Sequence, residues 1–394
     1  MTDRPLIRLN PGADRRVRAG HPWAFSNEIA MTPALRAMPP GTVVRLEGAD
    51  GWRFGAWHFN PHSLIAARRL DADPAAAVDE GWFHARLAAC LALRDRLFGA
   101  PFYRLVHAEA DGLPGLVIDR YGDAVAIQAN TAGMDAALPM IVAALRDLIA
   151  PRTIVARNDS GVRVLEGLKE EVALLHGAEG TAVVEEGGLH FPVDLLGGQK
   201  TGWFFDQRPN RALVARMAEG RSVLDAFCHL GGFGLSAARA GAREVTLLDR
   251  SEHALDLAKQ AAARAGLGER VATMKADAME ALEKMHGSGR RFEVVVADPP
   301  AFAKARKDIP AALRGYAKLA RHAAGVTAPG GVLFIASCSH HVGPGDFAEA
   351  VAYGVARARR ASRILASVGA GPDHPVHPAL PESAYLKGQL LYLE

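Results

Sequence analysis

From residue 222 onward the chain alternates short apolar, β-rich runs with helical segments, and no other feature limits the fold so tightly. Strands are expected at 222–226, 244–249, 271–276, 292–297, 331–337, 362–369 and 386–393, with helices between the first six. Such alternation argues for a mostly parallel sheet covered on both faces. The last two strands lack a connection of helix length, so the final one is expected to return antiparallel.

Open α/β sheets bind ligands beyond the carboxyl ends of their strands, so the residues that end each run matter most. The first strand ends at Asp225 and passes through "FCHLGGFG" into a helix, where glycines allow a ligand close to the backbone. The second ends at Asp249, roughly the 20-residue offset at which an acid grips a ribose hydroxyl. The third leads into Asp277. The loop does not match G-x-G-x-x-G, which argues against a nicotinamide dinucleotide. Three acids at three strand ends resemble instead the nucleoside pocket of S-adenosylmethionine-dependent methyltransferases, although each alone would also serve as a helix N-cap. The cofactor-binding candidates are Asp225, Phe227, Cys228, Gly231, Gly232, Phe233, Asp249, Arg250, Ser251, Asp277, Ala278 and Asp298.

The fourth strand ends in "DPPAFAK". Proline after Asp298 keeps the aspartate extended and denies a helix start, leaving its side chain toward the cofactor's reactive end. In methyltransferases that act on planar nitrogens or on cytosine carbon 5, which this stretch resembles, that position contacts the substrate base. The fifth strand ends in "SCSHH", with Pro329 and Gly330 marking the turn that feeds it. Cys338 therefore falls at the same edge as Asp298. Carbon 5 of a pyrimidine is a weak nucleophile, and a thiolate added at carbon 6 makes it enamine-like. Cys338 and Asp298 are the catalytic candidates. Cys228 reads as loop packing, Cys90 as core, and His229, His340 and His341 as hydrogen-bonding neighbours. The proline-rich stretch 371–383 offers Asp373, His374 or Glu382 as a base, with nothing to choose among them.

Residues 1–75 are β-like, with two runs in "GTVVRLEGADGWRFGAWHFN" around a turn, and suit a small β-barrel. Their ten arginines (4, 8, 15, 16, 18, 36, 45, 53, 68, 69) face seven acids, with no lysine. Arginine forks interleaved with Trp23, Phe25, Trp52, Phe54 and Trp57 suit RNA, while also reading as a solvated surface around core aromatics. Helical spacing over 76–98 brings Trp82, Leu87, Cys90, Leu91 and Leu97 to one face; strands, a helix near 134–149 and more strands complete a central α+β domain. A helix running to about residue 219 precedes the alternating region.

The composition, 49% hydrophobic and 23% charged, is that of a globular protein without a membrane span. The N-terminus lacks the apolar stretch of a secretory signal, and three cysteines at 90, 228 and 338 form no disulfide framework, which points to a cytoplasmic protein.

The stretches "GGQKTGWFFDQRPNR", "LDAFCHLGGFGLSAARAGA", "DPPAFAK", "SCSHH" and "DHPVHPALPESAYLKG" together resemble the bacterial 23S rRNA cytosine-5 methyltransferases of the RlmI-like group, over nearly the whole chain. The resemblance implies a multi-domain α/β protein: a PUA-like RNA-binding barrel (1–75), a central α+β domain (76–190) and a Rossmann-like methyltransferase domain (191–394) with a seven-stranded, mostly parallel sheet. It implies S-adenosylmethionine as cofactor, with Phe205, Gln207 and Arg208 beside it together with Asp206. It implies 23S rRNA as partner, in a single-stranded or loop region, contacted by Lys200, Pro299, Pro300, Phe302, Lys304, Arg15, Arg16, Arg18 and Trp23. A chain of this length suits a monomer or a homodimer.

Where other cytosine-5 RNA enzymes carry Pro-Cys after the strand-four aspartate, this chain has Pro-Pro, leaving Cys338 as the candidate nucleophile. Leu196, Gly197, Gly198 and Trp203 are local variations, and the target cytosine stays open. The same residues also admit a nitrogen methyltransferase without covalent catalysis, or a non-catalytic rRNA-binding assembly factor.

Overall fold

The computed structural model describes residues 4–198 and 201–394, which divide into two compact units. The first comprises Met1–Val183, Val193–Trp203 and Pro372–Ser383; the second comprises Val184–Pro192, Phe204–Gly371 and Ala384–Glu394.

In the first unit, strands Leu6–Arg8, Thr42–Glu47, Arg53–Phe59, Ala67–Asp71 and Trp23–Ala24 lie side by side in that order. Alternation in "TVVRLE" turns Val44 and Leu46 inward, where they join Ile7, Trp57 and Phe59 in a core. A second sheet runs Phe102–His107, Leu116–Tyr121, Ala124–Ala129, Thr153–Asn158, Glu171–His176, with only the third and fourth strands parallel.

The parallel pair needs a crossover, and the single helix expected near 134–149 is in fact two, Ala132–Ala136 and Leu138–Ile149. Pro139 accounts for the break, because it has no N–H to continue the first helix but fits the opening turn of the second. In helix Glu80–Leu97, Phe83, Leu87 and Cys90 are buried, whereas Leu97 is 44% exposed and leaves the expected face. Burial pushes the Cys90 thiol up to about 12, as suits a core residue.

The second unit carries the alternating region. Its strands are β1 (Ser222–Ala226), β2 (Glu244–Asp249), β3 (Val271–Lys275), β4 (Phe292–Ala297), β5 (Thr327–Ser337), β6 (Ser362–Val368) and β7 (Lys387–Leu393), and its helices α1 (Arg208–Ala215), α2 (Gly232–Arg239), α3 (Glu252–Arg264), α4 (Ala278–Ser288), α5 (Ile309–Val326) and α6 (Pro344–Arg357). The sheet order is β3-β2-β1-β4-β5-β7-β6. The first five strands are parallel and β7 is antiparallel to both its neighbours, as the sequence rhythm predicts.

Two boundaries in this unit differ from expectation by more than one residue. α1 stops at Ala215, short of residue 219. β5 begins at Thr327, so Pro329 and Gly330 lie inside it, in an irregularity opposite Glu293 where Gly330 takes φ 74°.

The central strands are buried from both faces, β1 along its whole length. α2 lies so close to β2 that a Cβ at Gly234 would come within 2.3 Å of Leu247 Cδ2, which only glycine avoids. No helix among the described residues is long and apolar enough to cross a membrane.

Candidate active site

Neighbouring strands of the second unit bring five chemically capable residues to one edge. Asp249 ends β2, Asp225 lies one residue from the end of β1, Asp298 follows β4, Cys338 follows β5, and Lys387 opens the antiparallel β7. Between β1 and β4 the strand order reverses, which makes that point the natural crevice of the sheet.

The turn after β1 is strained. Phe227 and His229 hold positive φ angles of 63° and 50°, a conformation side chains seldom adopt and one that clusters at ligand sites. Two backbone anchors hold it: Asp225 Oδ2 accepts the N–H of Gly234 at 2.8 Å, and Asp249 Oδ2 accepts that of His229 at 2.9 Å. Asp225 is buried, and burial, reinforced by Asp298 and Asp249, pushes its carboxyl up to about 7. Three carboxylates that repel one another favour a cationic ligand, which is the charge a sulfonium carries. The donor set therefore fits S-adenosylmethionine.

Other cofactor candidates divide by exposure. Gly231, at φ 76°, caps α2, and Gly232 begins it. Phe233 is buried against Phe334, ring centres 5.2 Å apart, so its side chain belongs to the core. Cys228 is buried too, with its thiol pushed well above the ordinary range, first by burial and then by Asp225. Arg250 is exposed, and Ser251 caps α3 through Ala254 N–H at 3.2 Å. Asp277 is exposed and caps α4, accepting the N–H groups of Met279 and Glu280, with Ala278 buried behind it. The N-cap role is thus the one Asp277 visibly fills.

Before α1, Phe205, Asp206 and Gln207 form a buried 3₁₀ turn. Gln207 Nε2 donates to Asp298 Oδ2 at 2.9 Å, while its Oε1 accepts from Asn210 at 2.6 Å. Tyr385 donates its hydroxyl to Asp206 Oδ2, and Arg208 covers the Phe205 ring at 5.3 Å. Lys200 lies outside the described residues.

Cys338 is half-buried, with its thiol directed to the carbonyl of Pro299 at 3.9 Å. The thiol and the Asp-Pro-Pro loop therefore meet. Pro300 and Lys304 are exposed, and Phe302 stacks on Tyr316 at 4.6 Å. His340 stacks on Tyr385 at 4.9 Å. Sequence reasoning missed Lys387, whose one signal was a lone cation opening an apolar strand.

In the first unit, several residues read as RNA contacts are paired with acids of the protein, although Arg16 and Arg18 stay exposed. Trp23 Nε1 donates to Glu109 at 2.8 Å and Arg16 pairs with Glu28 at 2.6 Å. Arg18 pairs with Asp14 and Asp50, while Arg15 is exposed. A cavity of about 430 Å³ is lined by Arg18, Arg53, Arg69, Phe54 and the 60% exposed Trp52. Asp373 and His374 are buried in this unit as a 3.0 Å pair, with Asp373 also accepting the N–H of Arg104. Glu382 sits in a 3₁₀ turn of the same segment.

Comparison with known proteins matches residues 7–72 to a PUA-like domain and residues 166–390 to the S-adenosylmethionine-dependent methyltransferases. The ribosomal RNA large subunit methyltransferase I of Aeromonas hydrophila is 38% identical over 392 residues, covering 97% of this chain and 98% of that one. Its counterpart in Aliivibrio fischeri strain MJ11 is 36% identical over 388 residues, with coverage of 97% and 98%. The solved structure of SMU.776 complexed with SAH shares the fold at a TM-score of 0.84 and 19% identity, covering 98% of this chain and all of that one.

Proposed function

Because the chain belongs to the ribosomal RNA large subunit methyltransferase I family of S-adenosylmethionine-dependent enzymes, we propose that it methylates carbon 5 of one cytosine in large-subunit rRNA through a covalent adduct on Cys338. The contact between the Cys338 thiol and the Pro299 carbonyl carries this reading, since it sets a nucleophile beside the loop that would hold the base.

Bound S-adenosylmethionine supplies an electrophilic methyl group. Asp225 and Asp249 would hold it over the strained turn. Asp298, with one oxygen held by Gln207, orients the cytosine through its amino and ring nitrogens. The Cys338 thiolate forms a bond to carbon 6, and the electron pair of the 5,6 double bond moves to carbon 5, which would then bond the methyl carbon as its bond to the sulfonium breaks, the pair staying on the departing neutral thioether sulfur. Removal of the carbon 5 proton by a base then restores the double bond and expels the thiolate.

A base inside a stacked helix cannot reach such an edge, so the substrate is a single-stranded or loop segment of the rRNA. The arginine-lined cavity beside Trp52 and Phe54 suits an unpaired nucleotide of the RNA. Work on ribosomal RNA with a free thiolate belongs in the reducing cytoplasm.

The adduct is tested with RNA carrying 5-fluorocytosine, whose carbon 5 substituent cannot leave as a proton. The reading predicts a stable protein–RNA complex through Cys338. Absence of a complex with otherwise bound RNA would overturn it.

A further inference from the structure

Lys387 stands directly opposite Ser337 in the register of β5 and β7, one residue before Cys338. Its side chain is almost fully buried, and Nζ donates to the carbonyls of Ser339 at 2.6 Å and Val342 at 2.7 Å. Both carbonyls belong to the turn that carries Cys338. Among the described residues no carboxylate lies within 4.0 Å of this ammonium. Buried lysines ordinarily have an acidic partner. Burial lowers Lys387 to about 8, and the one opposing influence is the Cys338 thiol.

The other side of the turn is equally fixed. The Ser339 hydroxyl accepts the N–H groups of Phe302 at 3.1 Å and Ala303 at 3.2 Å, and meets the Tyr316 hydroxyl at 2.8 Å. Ser337 donates to the same phenol at 2.8 Å. Ser337, Ser339 and Tyr316 are all inaccessible to solvent.

We propose that Lys387 is a positioning residue whose buried ammonium clamps the Cys338 turn and supplies the counter-charge for the thiolate. The inference deepens the cytosine-5 reading and rests on it. When the thiolate lone pair becomes the bond to carbon 6, negative charge leaves the sulfur; elimination returns it beside the same ammonium. Lys387 neither takes nor gives a proton in either step.

The ionisable groups on the elements meeting here include Asp298 after β4, Tyr316 from α5, His340 and His341 in the turn, and Tyr385 before β7. Asp298 acts against the thiolate. Burial pushes the Tyr316 hydroxyl up, so it stays neutral. Lys387, buried at the turn, is a cation near neutral pH, below its value of about 8.

The test is alkylation of the native full chain with iodoacetamide across about pH 6 to 10, reading the Cys338 peptide by mass spectrometry apart from Cys90 and Cys228. The wild-type midpoint is expected below the ordinary thiol value of about 8.5. Lys387→Gln, which can still donate to the carbonyls but has no charge, should raise it by about one unit and slow alkylation near neutrality about tenfold. Lys387→Arg should keep the wild-type profile.

A wild-type midpoint at or above the ordinary value overturns the proposal, and so does an unchanged midpoint in a Gln variant that still binds S-adenosylmethionine. If the Gln variant does not bind it, the wild-type midpoint decides. The readout needs no RNA, so full methyl transfer by Cys338→Ala would remove the cytosine-5 reading without altering this titration.

Discussion

Gln207 donates its side-chain amide to Oδ2 of Asp298 at 2.9 Å, and is itself held through Oε1 by Asn210. The carboxylate after β4 is thus oriented by a buried amide from the segment before α1, in a crevice where small displacements of a binding group cost much rate. Gln207→Leu should lower kcat for methyl transfer by about tenfold or more while leaving S-adenosylmethionine affinity within about twofold. Steady-state kinetics beside calorimetric titration of the cofactor would separate the two.

Asp225 gives the second unit a pH dependence of definite sign. Its folded value of about 7 lies above the ordinary 3.8, so the folded chain keeps a proton the unfolded chain has released. That stability is full below the ordinary value and lost as pH rises through about 7. Asp225→Asn, which keeps an acceptor for Gly234 N–H, should melt higher than wild type above pH ~7 and bind the cofactor at least about tenfold more weakly. Melting curves across pH with a cofactor titration check both.

His58 sets the opposite slope in the first unit. Burial, helped by Arg68, lowers its ring to about 4 from 6.5, and its Nδ1 has no partner among the described residues. As pH falls below 6.5 the unfolded chain takes the proton first, so stability is intact above that value and lost toward 4, by on the order of 3 kcal/mol. His58→Phe should flatten this acid arm in denaturant titrations at stepped pH.

Ser339→Ala leaves the N–H groups of Phe302 and Ala303 without their buried acceptor, at about 1–3 kcal/mol each. Because that hydroxyl joins the Asp-Pro-Pro loop to the Cys338 turn, turnover should fall by more than stability alone explains. Tyr316→Phe should show a milder form of both effects. Urea unfolding and single-turnover assays on the same samples test the pair.

For the proposed RNA surface, Trp52→Ala should weaken rRNA binding by about tenfold, the worth of one base stacked on an aromatic ring. Arg53→Ala should weaken it with a salt dependence shallower by about one phosphate contact. Binding isotherms at several salt concentrations read both numbers.

Much of the site was legible because strand ends are local features: Asp225, Asp249, Asp298 and Cys338 each close an apolar run, and a parallel sheet collects such closures at one edge. Lys387 was not, since its place beside Cys338 depends on β7 returning antiparallel against β5, a pairing of distant segments. The partners of Trp23, Arg16 and Arg18 were hidden for the same reason. Composition shows an arginine-rich, aromatic segment, but not that Glu109 takes the indole or Glu28 the guanidinium. Asp373 and His374 sit in a stretch whose local pattern shows only proline and turn residues, yet both are buried in the first unit, with Asp373 accepting the N–H of Arg104.

The most direct measurement of the central claim incubates the full chain, and separately Cys338→Ala, with methyl-labelled S-adenosylmethionine and unmodified large-subunit rRNA, then digests the RNA to nucleosides. The account predicts label in 5-methylcytidine from the parent and none from the variant. Label in a methylated guanosine or adenosine that survives the substitution would contradict it.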